Sequence, residues 1–481
     1  ATWIHRLGPA DSAWEQAARF ANAEIDKKRP PADLFAIQAG VLEHLRRVLD
    51  DPALGAVPER PRAAREMHRV FEAELAQPPR MWSTHPPNRE REDNAKRRYV
   101  PSPLDARPAW SLFSDADALR RAVSRKFFDA GGPTPVEEPA VPMEETLAGP
   151  EGTFRRPSLD RRFRGAYLNR TVVGHVAKVA DLYEPVDAKE PAAILAAIDR
   201  LYPESLKAEL ERYVEVRDEK GLLTALQDGV LDAPGGVIRH RGREIPRKEL
   251  GEVLRRVGGE LEAAEARLLA HDRKVRSLHR AAARALSPAW ASYLESLLGF
   301  VHYTDHVSAN LRDAHGYLLH AVNIVLADGH VSASERRWLL TAATDLYGVL
   351  EAFHRDRAWL QAPERVEEEA GELWREVLER ELTLPPPMEH DLGDWLNVID
   401  GWVVLTCVPL EKASRAALER LLEAEDHVAR CLRDGADPGS PPSGASTPER
   451  YTAFVEGAHR ERQKRPGWWD RFVTAGGFVP G

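Results

Sequence analysis

The chain has 481 residues, of which 43% are hydrophobic and 30% charged, and its formal net charge at pH 7 is −9. This length and composition predict a soluble globular protein with a buried core and about two to four domains. The acidic balance argues against a general nucleic-acid-binding protein, which needs a basic face. Cys407 and Cys431 are too few for a disulfide framework in a chain this long, which favours a reducing compartment. The sequence has no run of about 18 apolar residues, so it predicts no membrane-spanning segment.

The first 130 residues predict helices separated by irregular chain. Asp11 and Ser12 can cap the first helix, and a pair of prolines separates it from the second. Ser114 is positioned to cap the last of these helices, which two glycines then end. The segment 51–80 is rich in Pro and Arg and predicts irregular structure. Helices are predicted over 11–27, 32–50, 88–97 and 115–129.

Residues 131–165 contain six prolines and predict a linker between domains, because such a stretch cannot form a helix interior. A small hairpin around Gly242 is expected at 237–245. The apolar spacing after it predicts two long helices, 246–286 and 288 to about 327, packed as an antiparallel hairpin at the core of a bundle. Further helices are predicted over 333–346, 363–381, 391–406 and 411–433.

The predicted fold class is therefore mainly α. A flexible linker is expected at 434–447, followed by a helix over 448–463 and a Trp-rich tail. In the tail, Trp468 and Trp469 lie between two arginines, a pattern typical of the headgroup zone of a bilayer. Packing of these indoles on the helical module is an equal alternative.

The acidic runs 367–369 and 423–426 are interpreted as solvated helix faces.

A His-Pro-Pro turn followed by a Glu-Arg pair carries the clearest chemical pattern, in the segment 82–91 (Trp-Ser-Thr-His-Pro-Pro-Asn-Arg-Glu-Arg). His85 and Arg91 are six residues apart, one at the turn and the other on the helix that the turn starts. Two such donors can converge on a developing oxyanion and stabilise it during peptide hydrolysis. The alternative is that the turn is a rigid helix start and Arg91 lies on a solvated face.

The segment 82–91 closely resembles the His-Pro-Pro-x-x-Glu-Arg segment of membrane zinc metallopeptidases of the CAAX prenyl endopeptidase and HtpX-like type. The resemblance spans residues 1–130 and implies that His85 and Arg91 are catalytic, supporting the transition state. It also implies zinc as the cofactor of the complete enzyme. The zinc motif His-Glu-x-x-His and the Glu-Ala-Asp-Arg context of the third ligand are absent here, so the zinc ligands and the spanning helices are expected outside this sequence.

A second candidate cluster is His302-Tyr303-Thr304-Asp305-His306, followed by Asp313, His315 and His320. His302 and His306 share a helical face, as two zinc ligands can. Position 303 is Tyr where a zinc peptidase needs its Glu base. A buried helix whose histidines form local hydrogen bonds is therefore the favoured interpretation.

The turn at 327–335 (Ala-Asp-Gly-His-Val-Ser-Ala-Ser-Glu) resembles the Asp-Gly-x-Val-Ser-x-x-Glu turn of TerB-like helical domains, in which the acidic residues are linked to metal binding. The TerB-like segment is placed near 315–350. The simpler prediction is structural, because Ser332 and Glu335 have the spacing of a capping box.

These patterns lead to two hypotheses. The first is the C-terminal soluble portion of a membrane-associated zinc metalloendopeptidase on the cytoplasmic face of a membrane. Residues 1–130 would complete the protease domain, 166–433 would form a helical bundle that is TerB-like in part, and 448–481 would form a helix and tail. Its partners would be a peptide or protein substrate, the membrane and a protein bound to the helical module, but no nucleic acid. The alternative is a non-enzymatic helical interaction or scaffold module at the membrane surface.

Overall fold

A computed structural model describes nine continuous stretches of the chain, together with scattered residues that lie mainly between 10 and 25. Helices account for 77% of the structure and the strands form one two-stranded sheet, so the predicted mainly α class is confirmed. His85, Arg91, most of 88–97, residues 448–463 and the Trp-rich tail lie outside the described residues. The described stretches are 28–48, 51–55, 109–131, 156–168, 179–188, 190–227, 236–326, 331–357 and 364–442.

The chain divides into two compact units. Unit 1 comprises Ala1–Gly165 and Leu226–Leu250. Unit 2 comprises Ala166–Ala225 and Gly251–Gly481.

Unit 1 contains helices α1 (Leu34–Val48) and α2 (Ala116–Gly131), which pack together with helical turns near 13–25. Asp33 caps α1 by accepting hydrogen bonds from the N–H groups of residues 35 and 36, at 2.9 and 3.1 Å. Arg120 on α2 donates to the other carboxylate oxygen of Asp33 at 2.8 Å. Asp115, rather than the expected Ser114, caps α2, because its carboxylate accepts from the N–H of Ala118 at 2.9 Å.

The predicted hairpin is present in unit 1. Strands β1 (Ile238–His240) and β2 (Arg243–Ile245) pair antiparallel, with Ile238 opposite Ile245. Arg241 and Gly242 form the two-residue turn and both have positive φ, 48° and 78°. This is the combination that a type I′ turn requires, so the glycine fixes the hairpin locally.

Unit 2 is built around one long helix, α6 (Pro288–Leu326). The other helices are α3 (Pro191–Ile198), α4 (Ser205–Gln227), α5 (Leu250–Leu286), α7 (Ala333–Asp356), α8 (Glu364–Glu379) and α9 (Leu392–Asp434). Helix α6 packs against α9 and α7, α8 packs against α9, and α9 also contacts α3. The expectation that α5 and α6 form the core hairpin is wrong, because the principal neighbours of α6 are α9 and α7, brought in by tertiary packing.

Helix α9 runs unbroken through Pro409, where the sequence predicts a gap between two helices. A proline inside a helix removes one backbone hydrogen bond and crowds the preceding turn. Pro409 is buried, with Leu410 and Ala413 of the hydrophobic core close behind it on the same helix. Burial of this apolar face offsets the local cost, so the helix continues. Within the described residues, no helix is both long and apolar enough to cross a membrane.

Candidate functional site

His302 and His306 lie one turn apart on α6, as the sequence predicts, and neither side chain is exposed to solvent. Their ring centroids are 4.7 Å apart in an edge-to-face arrangement. Tyr303 and Thr304 between them are equally buried, and the Thr304 hydroxyl donates to the backbone carbonyls of Phe300 and Val301. The pair therefore belongs to the interior of the bundle.

Polar side chains near this pair connect α6 to α9. The Ser414 hydroxyl donates to Asp305 at 2.9 Å, and His315 Nε2 lies 2.7 Å from an Asp400 carboxylate oxygen. Arg312 of α6 also donates to the Glu411 carboxylate of α9 at 3.0 Å, so polar contacts supplement the apolar packing of the two helices. They indicate that the polar residues of this stretch of α6 hold its position against α9.

The described residues contain no group of three or more His, Cys, Asp or Glu side chains arranged to hold a metal ion. Structural and catalytic zinc sites require at least three protein ligands. His302 and His306 supply two and lack the third, so this part of the chain does not fit a zinc site.

The turn before α7 is a structural cap in the part that the structure describes. The Ser332 hydroxyl accepts a hydrogen bond from the N–H of Glu335, and the Glu335 carboxylate accepts one from the N–H of Ser332. This reciprocal pair is a capping box, which confirms the structural prediction. Residues 327–330 of the TerB-like pattern lie outside the described residues.

A buried ion pair between Arg170 and Asp272 lies in unit 2. Its two hydrogen bonds are both 2.7 Å long, and the side chains are only 5% and 8% exposed. Burial by itself would raise the pKa of Asp272. The charge and hydrogen bonds of Arg170 outweigh that effect and hold the pKa of this carboxyl below its usual value.

A second buried pair, Arg276 and Glu425, joins α5 to α9 in unit 2. The shortest distance between the two charged groups is 3.3 Å, and each side chain is 4% exposed. Arg276 also donates to the Tyr167 hydroxyl, which is 2.7 Å from the hydroxyl of Tyr202. Burial opposes the charge on Arg276, but Glu425 outweighs it and raises the pKa of the guanidinium. The interpretation of 423–426 as a solvated face is therefore wrong at Glu425, because its charge is matched inside the core.

An open cleft of about 340 Å³ borders this network. His271 lies in its wall, where Nε2 donates to the backbone carbonyl of Leu201 at 2.8 Å and Nδ1 is 3.6 Å from Asp272. Because Nε2 is already hydrogen-bonded to the Leu201 carbonyl, His271 has a structural role: it connects α5 to the chain at Leu201. The cleft is lined by Glu184, Pro203, Ser205, Leu206, Glu209, Ala270, His271 and Lys274.

Sequence reasoning missed these buried ion pairs. Their members are ordinary charged residues, separated by 102 positions in one pair and by 149 in the other. On α5, Asp272 and Arg276 are four residues apart and therefore share a helical face. This spacing was the one sign in the sequence that charged residues of α5 share a face. An exposed helix face with salt bridges has the same spacing, so the pattern does not reveal burial.

Comparison of the chain with protein-family models, with curated proteins and with solved structures finds no match.

Proposed function

We propose that the chain is part of a membrane-associated zinc metalloendopeptidase and that residues 1–130 complete its catalytic domain. The observation that carries the proposal is the segment 82–91, in which a His-Pro-Pro turn is followed by a Glu-Arg pair. The zinc ligands would come from protein outside these 481 residues. The helical bundle of unit 2 would face the cytoplasm and bind a protein partner.

The proposed roles of His85 and Arg91 follow from the charge that develops in peptide hydrolysis. Attack on the scissile carbonyl places negative charge on its oxygen, and donors aimed at that oxygen stabilise the transition state more than the substrate. An imidazole N–H and a guanidinium can both donate there, and the guanidinium keeps its charge at any physiological pH.

The test compares single substitutions in the enzyme that contains both this chain and a zinc motif. We expect His85→Ala and Arg91→Ala each to lower kcat by about 100-fold or more, the range seen when one oxyanion donor is removed. Arg89→Ala is the matched control, because Arg89 lies in the same segment at an unspecified position of the motif. Initial rates on a peptide substrate and the melting temperature of each variant are measured together.

Near-normal turnover in either variant, with the protein folded, would show that the turn is only a helix start. An equal loss in Arg89→Ala would indicate a general effect of charge in this segment. Either result would contradict the proposed catalytic role of His85 and Arg91.

A non-enzymatic interaction module is the second candidate, and the exposed face of α9 favours it. Val398, Val404, Leu405 and Val408 share one side of the helix and are 44–50% exposed. Contiguous exposed apolar side chains commonly mark a protein-binding surface.

Sequencing upstream of this chain separates the candidates. An in-frame His-Glu-x-x-His flanked by spanning segments supports the peptidase, and its absence supports the module.

A further inference from the structure

The solvent-facing side of α9 carries a regular series of eight residues, which we call the α9 seam. Its members are separated alternately by three and four positions, the spacing at which two helices pack in a coiled coil. The series begins at the N-cap of α9, which is half-buried, and its other seven members are exposed. It extends ~36 Å at a rise of about 1.5 Å per residue. The members are Asp391, Asp394, Val398, Gly401, Leu405, Val408, Lys412 and Arg415.

The charges at the two ends of the α9 seam are complementary to each other. Two carboxylates, Asp391 and Asp394, come first, and two cations, Lys412 and Arg415, come last. When a second copy of the seam runs in the opposite direction about a centre at residue 403, each carboxylate lies opposite a cation. A parallel second copy would instead place like charges together, which disfavours association. The pattern therefore selects an antiparallel, two-fold symmetric pairing.

The centre of the α9 seam is apolar and includes a glycine inside a helix. Val398, Leu405 and Val408 are 48%, 44% and 45% exposed. A Cβ added to Gly401 would project into open space, so packing within the chain does not explain a residue that weakens a helix relative to alanine. In the antiparallel pairing, Leu405 of the second copy lies opposite Gly401, where the absent side chain leaves room for it. Val398 lies opposite Val408 in the same register.

The charge of this part of α9 also argues against other occupants. Residues 391–415 contain four carboxylates and two cations, whereas an anionic lipid surface or a nucleic acid needs net positive charge. The two carboxylates outside the seam have neighbours on α6, because Arg312 pairs with Glu411 and His315 lies beside Asp400. Among the described residues, no ion pair involves the four charges of the seam. They are placed to pair with a second copy.

We propose that the protein forms a reversible homodimer in which the α9 seams of two copies pack antiparallel about a two-fold axis at residue 403. Packing removes the exposed apolar side chains from water and pairs the charges at both ends. The contact is one helix wide and smaller than a standard interface of about 1,600 Å², so we expect a Kd on the order of 10 μM. The dimer does not depend on the proposed peptidase chemistry. It makes a second copy of the chain the partner of the exposed α9 face.

Sedimentation equilibrium of the 481-residue protein measures the dimer, at concentrations from about tenfold below to about tenfold above the expected Kd. We expect Val408→Asp to raise the Kd at least tenfold, because it places a carboxylate in the apolar centre of the contact. Val214→Asp is the matched control, since Val214 is a 39% exposed valine on another helix of unit 2 and should leave the Kd unchanged. Both valines are at the surface, and melting curves verify that each variant is folded.

Two charge reversals test the register of the pairing. Asp394→Lys and Lys412→Asp should each raise the Kd about tenfold, because each places like charges opposite one another at both ends of the dimer. An equimolar mixture of the two variants should recover the wild-type Kd. In the mixed dimer, every reversed charge faces an opposite charge, so recovery is specific to the antiparallel pairing of these two positions.

A protein that remains monomeric at the highest concentration would overturn the proposal, and so would a dimer whose Kd is unchanged by Val408→Asp. A mixture of the charge variants that fails to recover the wild-type Kd would rule out the antiparallel register. Binding of a monomeric protein to anionic lipid vesicles, lost in Val408→Asp, would assign the α9 seam to a membrane and would also overturn the dimer.

Discussion

Asp272 and Arg170 show what burial does to single charged residues in this protein. Each depends on the other, because an isolated charge in the interior of unit 2 would carry a large desolvation cost. The same holds for Arg276 and Glu425, which are 4% exposed. The charges are recognisable in the sequence, but their pairing across more than a hundred positions is a property of the packed helices.

Removing one partner of the Arg170–Asp272 pair should therefore destabilise the protein strongly. We expect Asp272→Asn to lower the free energy of unfolding by roughly 3 kcal/mol, because it leaves Arg170 buried without its counter-charge. Asp218→Asn is the matched control. Asp218 also pairs with an arginine but is 59% exposed, so its loss should cost less than about 1 kcal/mol. Equal losses in urea unfolding of the two variants would contradict this assignment.

We expect His354 to make the stability of the folded protein sensitive to acid. Burial, reinforced by the charge of Arg357, lowers its pKa to about 4, and the side chain is 8% exposed. Between the unfolded pKa of about 6.5 and the folded value, the unfolded state binds more protons. The free energy of unfolding should therefore fall as pH falls through this window, by on the order of 2–3 kcal/mol.

His354→Gln should remove this pH dependence, because glutamine does not titrate. The measurement is urea unfolding of both proteins at several pH values between 7 and 4. His390→Gln is a suitable control, since it replaces a histidine whose side chain is exposed. A wild-type slope that survives in His354→Gln would place the acid sensitivity at other groups.

At the scale of elements, local signals fix several boundaries. The hairpin at 238–245 follows from Gly242, which adopts positive φ in the two-residue turn without steric cost, and α7 begins at the capping box of Ser332 and Glu335. These features involve neighbours in sequence, so they can be predicted without tertiary information. The unbroken course of α9 through Pro409 cannot, because burial of its apolar face outweighs a local helix-breaking signal.

The cap of α7 gives a prediction at this scale. Ser332→Ala should lower the free energy of unfolding by about 1 kcal/mol, because the N–H of Glu335 loses its side-chain acceptor. Ser332→Asp should restore most of the loss, since aspartate is an equally good N-cap residue. Unfolding curves of the three proteins provide the measurement. Failure of Asp to rescue the Ala variant would show that another contact of Ser332 accounts for the change.

At the scale of the whole molecule, the proposed peptidase chemistry places the zinc ligands outside this chain. We therefore expect the purified 481-residue protein to bind no stoichiometric zinc and to hydrolyse no peptide. Elemental analysis after dialysis at neutral pH provides the measurement. About one tightly held zinc per chain would contradict the expectation and direct attention to His302 and His306. Their substitution by Ala would then be the next comparison.

The sequence by itself determines the mainly α class, the positions of the long helices α5 and α6, the hairpin turn and the cap of α7. It also carries the segment around His85 and Arg91, on which the proposed function rests. These properties depend on residue spacing and on interactions between close neighbours in the chain. Only the tertiary structure decides that α6 packs between α9 and α7 and that Glu425 is buried against Arg276. Each of these contacts joins distant positions, and their energies come from burial and charge pairing that a local pattern does not encode.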